Sequence, residues 1–237
     1  MITYTISVYI YMKIIFDHIT GFGKITSSDF IHVDFYAIKE DSDSTKEMME
    51  NGWLPWDGKW FQLRSTRYKI SETMFNKKKL KKIKDIIYTT TKLEKNEYEK
   101  IITEYIKRKN FISDHCINNE ELFNSTINYY YQEKLIGFVC YLFLENSFIG
   151  LQFFWNYENP SLSLGNISTY LEIEMAKKLN CEYYYMMGGY EKSCIYKMNT
   201  SGFEWWTGKV WSKDKKMYEK LCERDSLIEV KNYNDNI

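Results

Sequence analysis

Lys77, Lys78, Lys79, Lys81, Lys82 and Lys84 place six ammonium groups on about two helical turns, the densest run of like charge in the chain. Such a run repels itself unless a polyanion compensates it, and a phosphate backbone is one. The other reading is a solvated helix face beside Asp85, Glu94 and Glu97. A second candidate anion site is Ser161–Asn166, where a loop opening a helix presents backbone N–H groups that have no intrahelical partner. That helix carries Glu172 and Glu174, which at spacing i, i+2 point to different faces and must have different fates. Tyr183, Tyr184 and Tyr185 alternate across a strand, so at least one belongs to the core. Trp205 and Trp206 offer indole faces, for stacking on a base or for plain core packing. Cys194 has no histidine near it in sequence and reads as a buried thiol rather than a nucleophile. Five cysteines without a C-x-x-C pair and three scattered histidines give no zinc-ligand spacing.

The elements that must position these residues follow from the apolar period. Tyr4, Ile6, Val8 and Ile10 alternate with polar neighbours, and residues 1–40 read as two or three strands broken at Gly21 and Gly23. A polar loop, Lys39–Lys46, leads to a short helix ending at Gly52. Next come the aromatic segment Trp53–Phe61, a hairpin turn at Asp57-Gly58, and a strand over Gln62–Ile70. From Asn76 the period becomes helical, with Leu80, Ile83, Ile86 and Ile87 on one face of the lysine-rich segment. A second helix spans about Glu94–Arg108 and a short third one Asn119–Phe123. Three antiparallel strands follow: Asn128–Glu133, Leu135–Leu144 and Phe148–Trp155. A loop at Pro160 and Gly165, a helix over Asn166–Leu179 and a strand over Cys181–Met187 ending at Gly188-Gly189 complete a β–β–β–loop–α–β unit.

Composition narrows the class. With 237 residues, two prolines and eleven glycines, the chain has length enough for one large core, or a core plus a small lobe. Lysine plus arginine equals aspartate plus glutamate, so the net charge is zero and a protein that coats DNA is not expected. The thiol pattern suits a reducing compartment. The N-terminal apolar stretch lacks a basic flank and a cleavage site, so a cytoplasmic protein with no membrane partner is expected.

The same residues carry a family resemblance. The strands from Lys134 to Trp155, the helix Ser163–Leu179 (SLGNISTYLEIEMAKKL), the strand CEYYYM from Cys181, and Gly189-Tyr190 with Cys194 and Lys197-Met198 resemble the C-terminal domain of the aminoacyl-tRNA–protein transferases. Upstream, Gly52-Trp53, the Leu63-Arg64 to Ile70 strand and the basic segment Phe75–Ile83 resemble further motifs of that family, in the same order, so the likeness runs from about 47 to 211. The cysteine-rich segments of the family are absent, Leu54 and Pro55 stand where it has two arginines, and the loop at Gly188-Gly189 carries an extra residue.

The resemblance implies an α+β, GNAT-type acyltransferase fold: a mixed, mainly antiparallel sheet flanked by helices. It divides the chain into a β-rich N-terminal lobe, 1–75, and a transferase domain, 76–237. It implies an aminoacyltransferase that takes an aminoacyl group from charged tRNA, with no cofactor, and forms an amide with a protein N-terminus, a peptide or a small molecule. The alternatives are an acyl-CoA-dependent enzyme, whose Q/R-x-x-G-x-G/A signature is missing, and a non-catalytic tRNA- or peptide-binding module. On this reading Glu172, Tyr185 and Tyr190 are the catalytic residues. Trp53, Arg64, Trp155, Ser163, Leu164, Gly165, Asn166 and Lys197 line the substrate site, and Lys77–Lys84 bind tRNA.

Overall fold

The computed structural model describes residues 13–16, 35–39, 41, 43–56, 58–76, 83–109, 123–189 and 192–225. The alternating Tyr4–Ile10 segment, the lysines from Lys77 to Lys82, the helix over Asn119–Phe123 up to its last residue, and Tyr190 lie outside the described residues.

Among the described residues two sheets are formed. The smaller has strand order β1-β2-β4-β3, from β1 (Lys13–Phe16), β2 (Phe35–Ile38), β3 (Trp53–Trp56) and β4 (Lys59–Gln62), with α1 (Thr45–Glu50) before β3. Trp56 pairs with Lys59, and Gly58 between them takes a positive φ of 69°, in keeping with the hairpin expected there. The strand expected over Gln62–Ile70 is split. Leu63-Arg64-Ser65 crosses between sheets, and β5 (Thr66–Lys69) enters the larger one. Residues 66–75, allotted by the sequence to the N-terminal lobe, therefore supply a strand to the middle of the large sheet.

That sheet has the order β12-β11-β5-β10-β9-β8-β7-β6. Its strands are β6 (Ile86–Thr89), β7 (Thr126–Tyr131), β8 (Lys134–Leu144), β9 (Ser147–Trp155), β10 (Tyr183–Met186), β11 (Phe203–Trp206) and β12 (Trp211–Ser212), with β5. Ile86 and Ile87, expected on a helix, lie in β6. The run of β-branched and aromatic residues pairs with β7, and strand alternation buries Ile86 while exposing Ile87. The β7–β8 connection is Gln132-Glu133, both at positive φ, one residue before the turn expected at Glu133-Lys134.

Helix α2 (Lys95–Lys109) buries Tyr98, Ile101, Ile102 and Tyr105, and Tyr98 packs on Phe138 while Tyr105 packs on Phe154. Helix α3 (Leu164–Lys178) packs on β9 and β10, and α4 (Lys215–Asp225) packs on the 3₁₀ helix Lys192–Asn199. Every described strand pairing is antiparallel except β9 with β10, which are joined by α3 as crossover. One parallel pair in an otherwise antiparallel sheet flanked by helices is the mixed, mainly antiparallel α+β arrangement that the sequence implies. Among the described residues no helix is long and apolar enough to cross a membrane.

Gly137 shows how closely α3 is seated. A Cβ there would lie 2.6 Å from the Phe154 carbonyl oxygen and 2.8 Å from the Leu164 side chain. Gly137→Ala should therefore destabilise the protein by about 2 kcal/mol, a melting temperature lower by roughly 4–8 °C in calorimetry. An unchanged transition would mean that α3 is not held against β8 at this point.

Candidate active site

Strands β9 and β10 run side by side only from Ser147–Gly150 against Tyr183–Met186. Past Gly150 the chains separate. The cause is visible in the β8 register: Cys140 pairs with Gln152 and Tyr141 with Gly150, so Leu151 is an extra residue. The bulge bends β9 away from β10 and reverses the alternation, which turns Gly150 upstream and Phe153 and Trp155 downstream towards α3. The gap opens into a cavity of about 500 Å³, lined by Gly150–Phe153, Met186–Gly189, the first turn of α3, and side chains from α2 and the 3₁₀ helix.

At its floor lies Glu172, 1% exposed. Tyr129 of β7 donates to its Oε1 at 2.9 Å, and Tyr184 of β10 donates to Oε2 in a short hydrogen bond. Burial pushes this carboxyl above the usual glutamate range, against the opposing pull of Tyr184, Tyr129, Ser168 and the charge of Lys197. Burial and the neighbouring carboxylate keep both phenols protonated, so they remain donors. Gly150 makes the approach possible, since a Cβ there would sit 2.9 Å from the Tyr184 hydroxyl and 3.2 Å from Glu172 Oε2. Glu174, two residues on, is half-buried and pairs with Lys177 at 3.1 Å, the separate fate that the spacing predicts.

Lys197 lines the same cavity at 6% exposure. Its Nζ donates to the carbonyls of Gly188 at 2.5 Å and Met187 at 3.2 Å, and Tyr68 donates to its backbone carbonyl at 2.7 Å. Arg64 is buried behind this loop and donates to the Gly189 carbonyl at 3.4 Å, as does the Cys222 thiol at 3.0 Å. Arg64 thus braces the cavity wall from behind rather than lining it.

Ser163, Gly165 and Asn166 line the mouth, but the helix starts earlier than expected. Leu164 is already helical and fully buried beneath β8, and Ser163 caps the helix at φ 51° without a side-chain hydrogen bond. Trp155 lines the cavity with Tyr157, their ring centroids 4.1 Å apart. The half-buried, free Cys194 also faces the cavity, where a buried thiol was expected.

Besides Arg64 and Leu164, other expected site residues also lie off the cavity. Tyr185 sits on the opposite face of β10 from Tyr184, because neighbours on a strand point apart. There Arg67 Nη1 donates to its hydroxyl at 3.3 Å, and burial pushes its phenol up to about 12. Trp53 is buried in β3 of the smaller sheet, away from the cavity. Lys84 is exposed after the last helical residue of its segment, and the rest of that lysine run, like Tyr190, is outside the described residues. Trp205 and Trp206 are core residues, 2% and 3% exposed. The sequence reading missed Tyr129 and Tyr184. The signal for Tyr184 was the strand alternation itself, once Glu172 was assigned to the inner face of α3.

Among the described residues no group of three His, Cys, Asp or Glu side chains is placed to hold a metal ion. The family model described as arginine-tRNA-protein transferase, C terminus, matches residues 67–200, more than half of the 237, and the chain belongs to that family. No curated protein matches it. Similar solved structures include the C-terminal domain (DUF2156) of a putative lysylphosphatidylglycerol synthetase from Agrobacterium fabrum, 9% identical over 52% of this chain and 45% of that one, with a TM-score of 0.39. L-PGS from Bacillus licheniformis is 11% identical over 53% and 46%, with a TM-score of 0.39. A conserved protein of unknown function from Staphylococcus epidermidis is 12% identical over 62% and 57%, at 0.32. The chain spans about half the length of these structures.

The raised carboxyl has a consequence for stability. Glu172 binds its proton more tightly folded than unfolded, so its contribution to stability is full below the unfolded value of about 4.3 and is lost as pH rises through the folded value. The melting-temperature advantage of the wild type over Glu172→Gln should shrink as pH is raised from about 4 towards neutrality. An advantage that grew with pH would show that the carboxylate form is the one the fold favours.

Proposed function

We propose that the chain is an aminoacyl-tRNA-dependent acyltransferase, joining a tRNA-borne aminoacyl group to the amine of a protein N-terminus, a peptide or a small molecule. The observation that carries this reading is the cavity between the parting strands β9 and β10, with a buried carboxylate and a buried ammonium, Glu172 and Lys197, in its wall. Family membership supports the donor; the acceptor is left open by it.

The chemistry needs little more than positioning. The acceptor nitrogen attacks the ester carbonyl carbon; as the N–C bond forms, the carbonyl electron pair moves onto oxygen. Collapse of this oxyanion breaks the bond to the ribose oxygen, which takes up the proton the nitrogen gives up. Ester and amine become amide and alcohol, with no redox step and no cofactor. The ester is already activated, and an α-amine of pKa about 7.7–8.0 is a tenth or more neutral near pH 7.

Each oxygen of Glu172 accepts one tyrosine hydroxyl and retains a lone pair, which can orient an amine N–H. Lys197 has three N–H donors, two of them given to the Met187 and Gly188 carbonyls, so one remains for the developing oxyanion. The first turn of α3 at Ser163–Asn166 would take the terminal phosphate of the tRNA, with Lys84 and the lysines before it on its backbone.

Bulk tRNA charged with labelled amino acids, offered with a mixed pool of amine acceptors, should yield ribonuclease-resistant label in amide linkage. Acetyl transfer from acetyl-CoA with none from any charged tRNA would sink the reading. Lys197→Gln should lower kcat by about a hundredfold with KM for charged tRNA little changed, since an oxyanion contact exists only in the transition state.

A further inference from the structure

Resting on that reading, we infer that the aminoacyl side chain this cavity accepts is uncharged and aromatic, rather than the arginyl group in the family's description. A guanidinium taken out of water needs acceptors for its N–H groups, and its charge is best offset by a carboxylate. Among the described residues lining the cavity, Glu172 is the only carboxylate, and both of its oxygens already accept a tyrosine hydroxyl, Tyr129 on Oε1 and Tyr184 on Oε2. The other charged side chains in the lining are both cations, Lys197 and Arg108. An incoming arginyl group would therefore meet two like charges and one carboxylate, each of whose oxygens is already shared with a tyrosine hydroxyl.

The remaining wall favours a flat, polarisable group. Trp155 and Tyr157 lie 4.1 Å apart between centroids at an interplanar angle of 44°, and Tyr105 stacks against Tyr157 at 6.0 Å. Phe153 and Tyr196 add two more rings to the lining, against Val139 and Leu151 as the branched aliphatics. Such a box gives edge-to-face and offset contacts that a branched aliphatic side chain cannot use in full. At about 500 Å³ the cavity has room for an aromatic side chain beside the ester.

The test uses the full chain and two readouts. Separately charged tRNAs carrying phenylalanine, tyrosine, tryptophan, leucine, lysine or arginine are compared by kcat/KM. Binding of 3′-deoxy-3′-aminoacylamino-adenosines bearing phenylalanyl, leucyl or arginyl groups is measured by calorimetry. The expected result is an aromatic group preferred over leucyl by at least about tenfold, and over arginyl by more, in both readouts. Arginyl or leucyl preferred in transfer would overturn this inference while leaving the transferase reading intact. No transfer from any tRNA, with tighter binding of the phenylalanyl adenosine than the arginyl one, would overturn the transferase reading and support the pocket assignment. Phe153→Asp adds a carboxylate and should move the preference towards arginyl; if that variant does not fold, the wild-type panel alone decides.

Discussion

A carboxyl group shut away from water needs donors for its oxygens, and the arrangement around Glu172 is a consequence of that need. The donors come from separate parts of the sheet: Tyr129 from β7 and Tyr184 from β10. They converge only if α3 lies close against the sheet, and Gly137 and Gly150 are the positions where a side chain would hold it off. Alternation makes the register strict. A slip of one residue on β10 would exchange Tyr184 for Tyr183 or Tyr185 and turn its hydroxyl to the other face. The helix, the glycines and the tyrosines are therefore one constraint.

The cavity depends on the same strands through a different effect. The extra residue at Leu151 bends β9 just where its pairing with β10 ends, so the sheet parts above Glu172. The chain leaving β10 is then tied down from several sides. Lys197 takes the Met187 and Gly188 carbonyls, and Arg64 and Cys222 take that of Gly189. Gly189 itself has no room for a side chain, since a Cβ would lie 2.7 Å from the Tyr218 hydroxyl and 2.8 Å from the Arg64 carbonyl oxygen. A loop with its carbonyls so occupied presents a fixed rim.

The large elements were legible because their apolar period runs long enough to read. The hairpins β7–β8–β9, helix α2 and helix α3 stand within a few residues of their expected places. The opposite fates of Glu172 and Glu174 were also readable, since a two-residue spacing on a helix separates faces. What escaped depended on partners distant in sequence. Ile86 and Ile87 fit a helical period, and only pairing with β7 makes them a strand. Leu63–Ser65 reads as strand, yet the chain changes sheets there. Tyr185 lies on the face of β10 away from the cavity, because alternation says that neighbours face apart but not which face holds the cavity.

The face that Tyr185 does occupy explains why β10 can bear these demands. Arg67 lies between the rings of Tyr183 at 4.1 Å and Trp211 at 4.2 Å, bonds Glu204 at 2.7 Å and donates to Tyr185. A buried ion pair of this kind gives little net stability, since desolvation offsets most of its attraction, but its planar fork fixes orientation. Arg67 pairs with Tyr185 across β5 and β10, and Glu204 pairs with Arg67 across β11 and β5, so the cluster fixes three adjacent strands in register. Strand β10 is thus gripped on one face through Tyr184 by Glu172 and on the other through Tyr185 by Arg67. With β10 unable to slide or roll, the opening beyond Met186 keeps its width, and the bend in β9 alone sets how far the two strands part.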